Sequence, residues 1–337
     1  MELVWIVFAL LLHPNLFHWA SAAPIAGKKV WAWGYGDVDE VLTNVPPGLS
    51  NVVAVAASVG HNVALRSDGT VFSWGASDFA STNTPPGLSN VVAISAGDEH
   101  TCALTSTGRV ICWGDNSVHQ NDVPSDLSGV VAIAAGARHT LALRSDGTVV
   151  GWGLGTNVCC SYYNDYGQAR PPPGLSNVTA IAAGEFFSVA IKSNGTVVTW
   201  GRNDPEEIGV PQNVTDAVAI AAGYNHTLVL TKQGTLVTWG GTDEDYDYGQ
   251  TLVPLGMSNI VAIAAKGYHS LVLRNDGKVF FAGADGKQSI LASELDYPNG
   301  VALSSSRQIL YVAESYKNRI LKIPRPVRAY VALMGTQ

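Results

Sequence analysis

The sequence is short of charge. Charged residues make up 14% of the 337 positions, and acids outnumber bases 27 to 20, for a net charge of -7 at pH 7. A nucleic-acid binder needs a basic footprint against the phosphates, so the totals disfavour that class. Methionine is nearly missing at 3 residues, while glycine reaches 35 and hydrophobics 47%. That balance suits a folded, strand-rich protein and argues against disorder. Helical spacing and helix caps are absent. So are the G-x-S-x-G elbow, H-E-x-x-H, the P-loop and the dinucleotide fingerprint. Carboxylates are plentiful, but no spacing singles out a catalytic pair, and the chain reads as a non-enzyme without a cofactor.

Long apolar runs are also lacking, with one exception. Leu3 to Leu12 is uninterrupted and apolar, and small residues come next at Ala20 and Ala22. Ten residues are too few to span a bilayer but fit the core of a signal peptide over 1–22, despite Glu2 and no Lys or Arg before the run. No other stretch could cross a membrane, so a secreted, soluble chain is expected. Four sequons agree with export: Asn177-Val178-Thr179, Asn194-Gly195-Thr196, Asn213-Val214-Thr215 and Asn225-His226-Thr227. Cys102 and Cys112 lie symmetrically about Thr107 in a hairpin, so they should face each other across two antiparallel strands. Opposed residues there have Cβ atoms about 4.5–5.5 Å apart, close to what a disulfide needs. An oxidising compartment would form that bond. Cys159 and Cys160 are adjacent and could pair with each other, pair with another chain or stay free.

What the sequence has in abundance is repetition. One unit reads NVVAIAAG, two or three variable residues, HTLALRSDGTVVGWG, and then a loop ending in VPPGLS. Its Trp falls at 33, 74, 113, 152, 200 and 239, and Ala282-Gly283 holds the equivalent place in a degraded copy. Within a unit, His139 to Leu143 alternates with period two, Asp146-Gly147 supplies a hairpin turn, and Thr148 to Trp152 returns. The segment before, such as Val131 to Gly136, is small and apolar, as expected for a strand packed on both faces near a crowded axis. A four-stranded sheet of this length cannot bury its faces alone, so the units must stack, and radial closure would remove exposed edges. His61, His100, His139, His226 and His269 recur at one position, with Phe187 in another copy. Because Phe tolerates the site, the His is read as packed and hydrogen-bonded rather than metal-ligating, and the Trp as packing between blades.

The signature G-x-x-H-T/S-x-x-L…D-G-x-V…W-G resembles the regulator-of-chromosome-condensation repeat family, over roughly Lys28 to Gly283. The resemblance implies an all-β fold: a seven-bladed β-propeller of ~39-residue repeats, its ring closed by an N-terminal strand. Residues 29–34 read as that lone closing strand, and 23–283 as the propeller. The unit is compact, like the repeats of secreted relatives such as β-lactamase-inhibitory protein II. The family's founding member suggests the competing reading, a guanine-nucleotide exchange or chromatin-type regulator.

After Gly283 the rhythm changes. Tyr297-Pro298-Asn299-Gly300-Val301-Ala302 and Tyr311-Val312-Ala313-Glu314-Ser315 resemble a blade of the strictosidine-synthase and gluconolactonase-like propellers. The resemblance implies a lactonase or lyase alternative and makes Asn299 a candidate metal ligand. A hard cation needs six or more oxygens, and the other ligand-bearing blades are missing. The tail, 284–337, is therefore expected to complete the last blade, with Gly300–Leu303 and Ile309–Val312 as two strands pairing with the N-terminal strand.

The loops after each Trp-Gly hold more than half of the acids and only two bases, Arg170 and Arg202. They leave equivalent strands and should share one face. Asp204, Glu206, Glu207, Asp243, Glu244, Asp245, Tyr246, Asp247 and Tyr248, with Tyr163 and Tyr166 of the longest loop, form the candidate binding face. Tyr among acids on loops suits a protein partner, possibly a basic one. The chain is expected to be a monomer that binds neither nucleic acid nor membrane.

Overall fold

The computed structural model describes residues 46–322, apart from 59, 76–79, 157–164, 203–208, 213, 242–248, 253–256, 276–278, 284–288, 293–297, 304–309 and 315–318. Each repeat forms its own antiparallel sheet, with strands in chain order from first to last. The first sheet holds β1 (Val52–Ala57), β2 (His61–Arg66) and β3 (Val71–Gly75). The second holds β4 (Val91–Ala96), β5 (His100–Thr105) and β6 (Val110–Gly114), and the third β7 (Val130–Ala135), β8 (His139–Arg144) and β9 (Val149–Gly153). Next come β10 (Val178–Ala183), β11 (Phe187–Lys192) and β12 (Val197–Gly201), then β13 (Ala217–Ala222), β14 (His226–Thr231) and β15 (Leu236–Gly240). The sixth sheet contains β16 (Ile260–Lys266), β17 (His269–Arg274), β18 (Val279–Gly283) and β19 (Ser289–Ala292). The last contains β20 (Pro298–Leu303), β21 (Leu310–Glu314) and β22 (Arg319–Lys322).

Two expectations change here. Among the described residues a unit has three strands, not four; only the sixth sheet gains a fourth. The reason lies just past the Trp. The outer strand ends on a glycine in the left-handed region, such as Gly114 at φ 108°, where a Cβ would meet the Glu99 carbonyl at 2.4 Å. The chain then runs into Pro85-Pro86, Pro124 or Pro171–Pro173, which have no N–H to give a further ladder. The second change concerns the tail. Its two expected strands are β20 and β21, but the free edge of β21 is taken by β22, with Tyr311 opposite Lys322 and Glu314 opposite Arg319. The expected N-terminal strand, 29–34, lies outside the described residues, as does 1–22.

First strands of consecutive sheets lie side by side, and β20 neighbours both β16 and β1. The core is divided among the layers between sheets. Ala54, Val63, Leu65 and Val71 pack on Val91, Ile94, Ala103 and Trp113 of the next sheet. Ala93, Cys102, Leu104 and Val110 meet Val130, Ile133, Ala142 and Trp152 in turn. Small residues on the first strands let the sheets converge, and the indole ring fills the wider outer wedge. Burying such a ring contributes about 3–5 kcal/mol by the cost of its removal. Cys102 and Cys112 are opposed in register and joined in a disulfide, as their hairpin symmetry predicts.

Candidate functional site

Every hairpin places the residue that begins the middle strand opposite the glycine that ends the outer one. The pairs are His61 and Gly75, His100 and Gly114, His139 and Gly153, Phe187 and Gly201, His226 and Gly240, and His269 and Gly283. The turn before each His and the loop after each Trp-Gly thus leave the same end of the sheet. Among the described residues, one face collects both sets.

The loop bases are held by a repeated relay. Gln120 is fully buried, and its carbonyl accepts from Thr140 Oγ1 (3.2 Å) and from Trp152 Nε1 (2.9 Å) of the next sheet. Gln168 does the same for Ser188 Oγ (2.8 Å) and Trp200 Nε1 (2.9 Å), and the Gln250 carbonyl accepts from Ser270 Oγ (2.6 Å). Ser81 stands in for Gln in the first loop, accepting from Trp113 at 2.9 Å. The preceding residue is left-handed each time: Ala80, His119, Gly167 and Gly249. The Gln follows its own Trp at unequal distances, but Ser81, Gln120 and Gln168 each precede the next Trp by 32 positions, a regularity that the sequence reading missed.

The histidines complete the relay. His100 Nε2 lies 3.0 Å from Thr140 Oγ1, His139 Nε2 2.9 Å from Ser188 Oγ, and His226 Nε2 3.0 Å from Ser270 Oγ. Each hydroxyl spends its one hydrogen on a carbonyl, so the imidazole must donate through Nε2. Burial, with the Lys266 charge adding to it, pulls His61, His100 and His139 down to about 3. Burial likewise pulls His226 to about 3, with His269 as the secondary influence. All four are neutral. No group of three or more His, Cys, Asp or Glu among the described residues could hold a metal ion. The sequence-based reading of the His as structural fits this geometry.

Closer to the axis lies a set the sequence reading missed. Asp98, in the turn before His100, accepts from the Tyr224 hydroxyl at 3.1 Å and faces Lys266 Nζ at 4.0 Å. Lys266 Nζ also donates to the Ala96 carbonyl at 3.1 Å. Tyr224 meets Tyr268 edge-on at 5.2 Å, and Tyr166 meets Phe186 at 5.6 Å. Burial raises Asp98, opposed by Lys266, Tyr224 and Arg138, and burial lowers Lys266, opposed by Asp98. Alignment of the repeats carries a signal: Lys266 stands where other copies have Ser58, Gly97, Gly136, Gly184 and Gly223.

Of the expected binding residues, Tyr166 is exposed on this face. Asp204, Glu206, Glu207, Asp243 to Tyr248 and Tyr163 lie outside the described residues, as do Cys159, Cys160 and Asn213. Asn177 and Asn194 are exposed. Asn225 is buried, and its Oδ1 accepts from Gln250 Nε2 at 3.3 Å, so it is unsuited to carry a glycan. Asn299 falls at the bulge between Pro298 and Gly300 of β20.

Fold and repeat geometry define an all-β chain of propeller type. The Regulator of chromosome condensation (RCC1) repeat matches residues 52–80, 91–120, 130–168, 178–204 and 217–250, so the chain carries repeats of that kind. No curated protein matches the sequence. Among solved structures, the ectodomain of the Physcomitrella patens receptor kinase CR4 is similar, with TM-score 0.62 and 21% identity over 81% of this chain and 74% of that one. Prp20p from Saccharomyces cerevisiae gives 0.61 and 19% over 82% and 83%. The ectodomain of the Arabidopsis thaliana receptor kinase ACR4 gives 0.59 and 21% over 76% and 88%. At these identities the likeness carries the fold alone.

Proposed function

We propose that this chain is a secreted, non-enzymatic, seven-bladed β-propeller scaffold that binds a protein partner through its loop-bearing face. The observation that carries the reading is the common register, which sends the loops after Trp-Gly to the same end. The Gln and Ser carbonyls tie several of those loops to the neighbouring sheet at their bases. Variable loops on a fixed platform are a common way to build a recognition surface. Acids concentrated in the loops suit a basic partner. The disulfide favours an oxidising compartment. Prp20p, whose structure was described with its binding to Gsp1p and histones, and the receptor-kinase ectodomains supply the fold comparison only.

Seven blades and ring closure by the tail are part of the proposal. All seven first strands carry a bulge at the same point, from Val52/Ala54 in β1 to Pro298/Gly300 in β20. The contacts of β20 with both β16 and β1 support reading the last sheet as the closing blade. Deleting residues 295–337 should sharply lower the melting temperature, and an unchanged transition would refute closure by the tail.

Localising the tagged full-length protein tests the compartment: extracellular signal is expected, and nuclear signal would overturn it. For the face, the acids at 243–247 are changed to their amides, and binding to a partner recovered with the unaltered protein is compared. Binding should fall and become less salt-dependent. Undiminished binding would remove this face as the site.

A further inference from the structure

Three side chains at or just past the ends of first strands join the second sheet to the fifth and sixth. Lys266 ends β16 in the sixth sheet, Tyr224 comes after β13 in the fifth, and Asp98 comes after β4 in the second. The second sheet is not a neighbour of the fifth or the sixth in the order in which first strands adjoin, so its contacts with them run through the middle of the propeller. We propose that Lys266, Asp98 and Tyr224 form a cross-axis clasp that locks the second blade to the fifth and sixth.

The residue at position 266 is what makes the contact possible. In the second to fifth sheets a glycine is required there. A Cβ on Gly97 would lie 2.2 Å from the His100 ring and 2.6 Å from the Gly136 carbonyl, and Gly136, Gly184 and Gly223 are equally confined. The first sheet admits Ser58, whose hydroxyl lies 2.8 Å from His61 Nδ1 and donates to the Asp98 carbonyl. The sheet after the sixth lacks the G-x-x-H turn, and there a long side chain extends across the axis. Its Nζ reaches a carbonyl and a carboxylate 170 and 168 positions away.

Partly desolvated charges are tolerated only when they are paired and hydrogen-bonded. Asp98 has both forms of support, from the Lys266 ammonium and the Tyr224 hydroxyl, and Arg138 adds positive charge nearby. Against hydrophobic residues of similar volume such a set adds little net stability, but it specifies one arrangement of the blades it joins. The clasp therefore supplies long-range order to a fold whose main contacts between sheets, among the described residues, link neighbours.

Hydrogen exchange on the full chain, read by mass spectrometry, tests this. Lys266→Met removes the charge and the donor but keeps the bulk, and Asp98→Asn removes the carboxylate. Lys266→Met should speed exchange in β4 and in the turn before His100, not only in β16. Asp98→Asn should speed exchange in β16 and at Tyr224, and the two together should do no more than the larger single change. Changes confined to the substituted sheet, or strictly additive ones, overturn the clasp. Should Lys266→Met fail to fold, Asp98→Asn decides alone: faster exchange at 260–266 supports the clasp and unchanged exchange there refutes it.

Discussion

His100 donates from Nε2 to Thr140 Oγ1 at 3.0 Å, and so binds the second blade to the third at a fully buried point. The same contact recurs for His61, His139 and His226, and in the fourth blade it is broken. Phe187 replaces the His, and the hydroxyl of Thr227 in the next blade is buried with no partner among the described residues. The two threonines should therefore respond oppositely to the same substitution. Thr140→Val orphans the His100 N–H and should cost about 1–3 kcal/mol. Thr227→Val removes a hydroxyl that has no partner among the described residues and should be neutral or stabilising. Urea unfolding of both variants checks this, and equal losses would contradict the relay.

The turn glycines make a second contrast. Gly136 has an ordinary backbone conformation, yet a Cβ there would meet the His139 ring at 2.4 Å and the Gly184 carbonyl at 2.5 Å. Gly87 has φ 77° and nothing within 4 Å of an added Cβ. Gly87→Ala should cost only the conformational penalty, about 1–2 kcal/mol. Gly136→Ala must displace a ring and a neighbouring blade, and should lower the melting temperature much further.

These contrasts mark what is legible in the sequence. Period-two strands, Asp-Gly turns and the recurring Trp define each hairpin from within, because their partners lie a few residues away. The same local reasoning pairs Cys102 with Cys112. Contacts at a spacing of 40, such as His61 to Thr101, join one repeat to the next, and internal similarity shows only that both repeats have the residues. The relay residues escape notice because the loops differ in length after the preceding Trp; only a count back from the next Trp, 32 positions each time, aligns Ser81, Gln120 and Gln168. Lys266 escapes because it sits in a degraded copy, where a departure from the repeat looks like decay. The three-stranded unit reads as four because prolines after Trp-Gly punctuate a loop and also end a ladder, and only the second role removes a strand.

The disulfide closes a loop of 10 residues between Cys102 and Cys112, and Cys102 is wholly buried in the layer between the second and third blades. Limiting the unfolded chain by a loop of that size is worth about 2–3 kcal/mol. The double change Cys102→Ala, Cys112→Ala should lower stability by that amount, and a reductant should have no further effect on it. A wild-type protein whose melting is indifferent to reductant would show that the bond contributes nothing.

Acid should weaken the fold through the histidines. His61, His100, His139 and His226 are held neutral, with folded values of about 3, and in the unfolded chain they titrate near 6.5. Below that pH the unfolded state binds protons that the folded state refuses, so stability is present above pH 6.5 and falls as the pH drops from there towards 3. Each histidine contributes about 1.4 kcal/mol per pH unit once its unfolded form is fully charged. A series of urea titrations between pH 7.5 and 4.5 should show the midpoint dropping steeply below 6.5. Replacing His139 by Phe, the residue the fourth repeat already carries, should remove about a quarter of that slope even though the Ser188 contact is lost. A slope that His139→Phe leaves unchanged would mean that other groups govern the acid sensitivity.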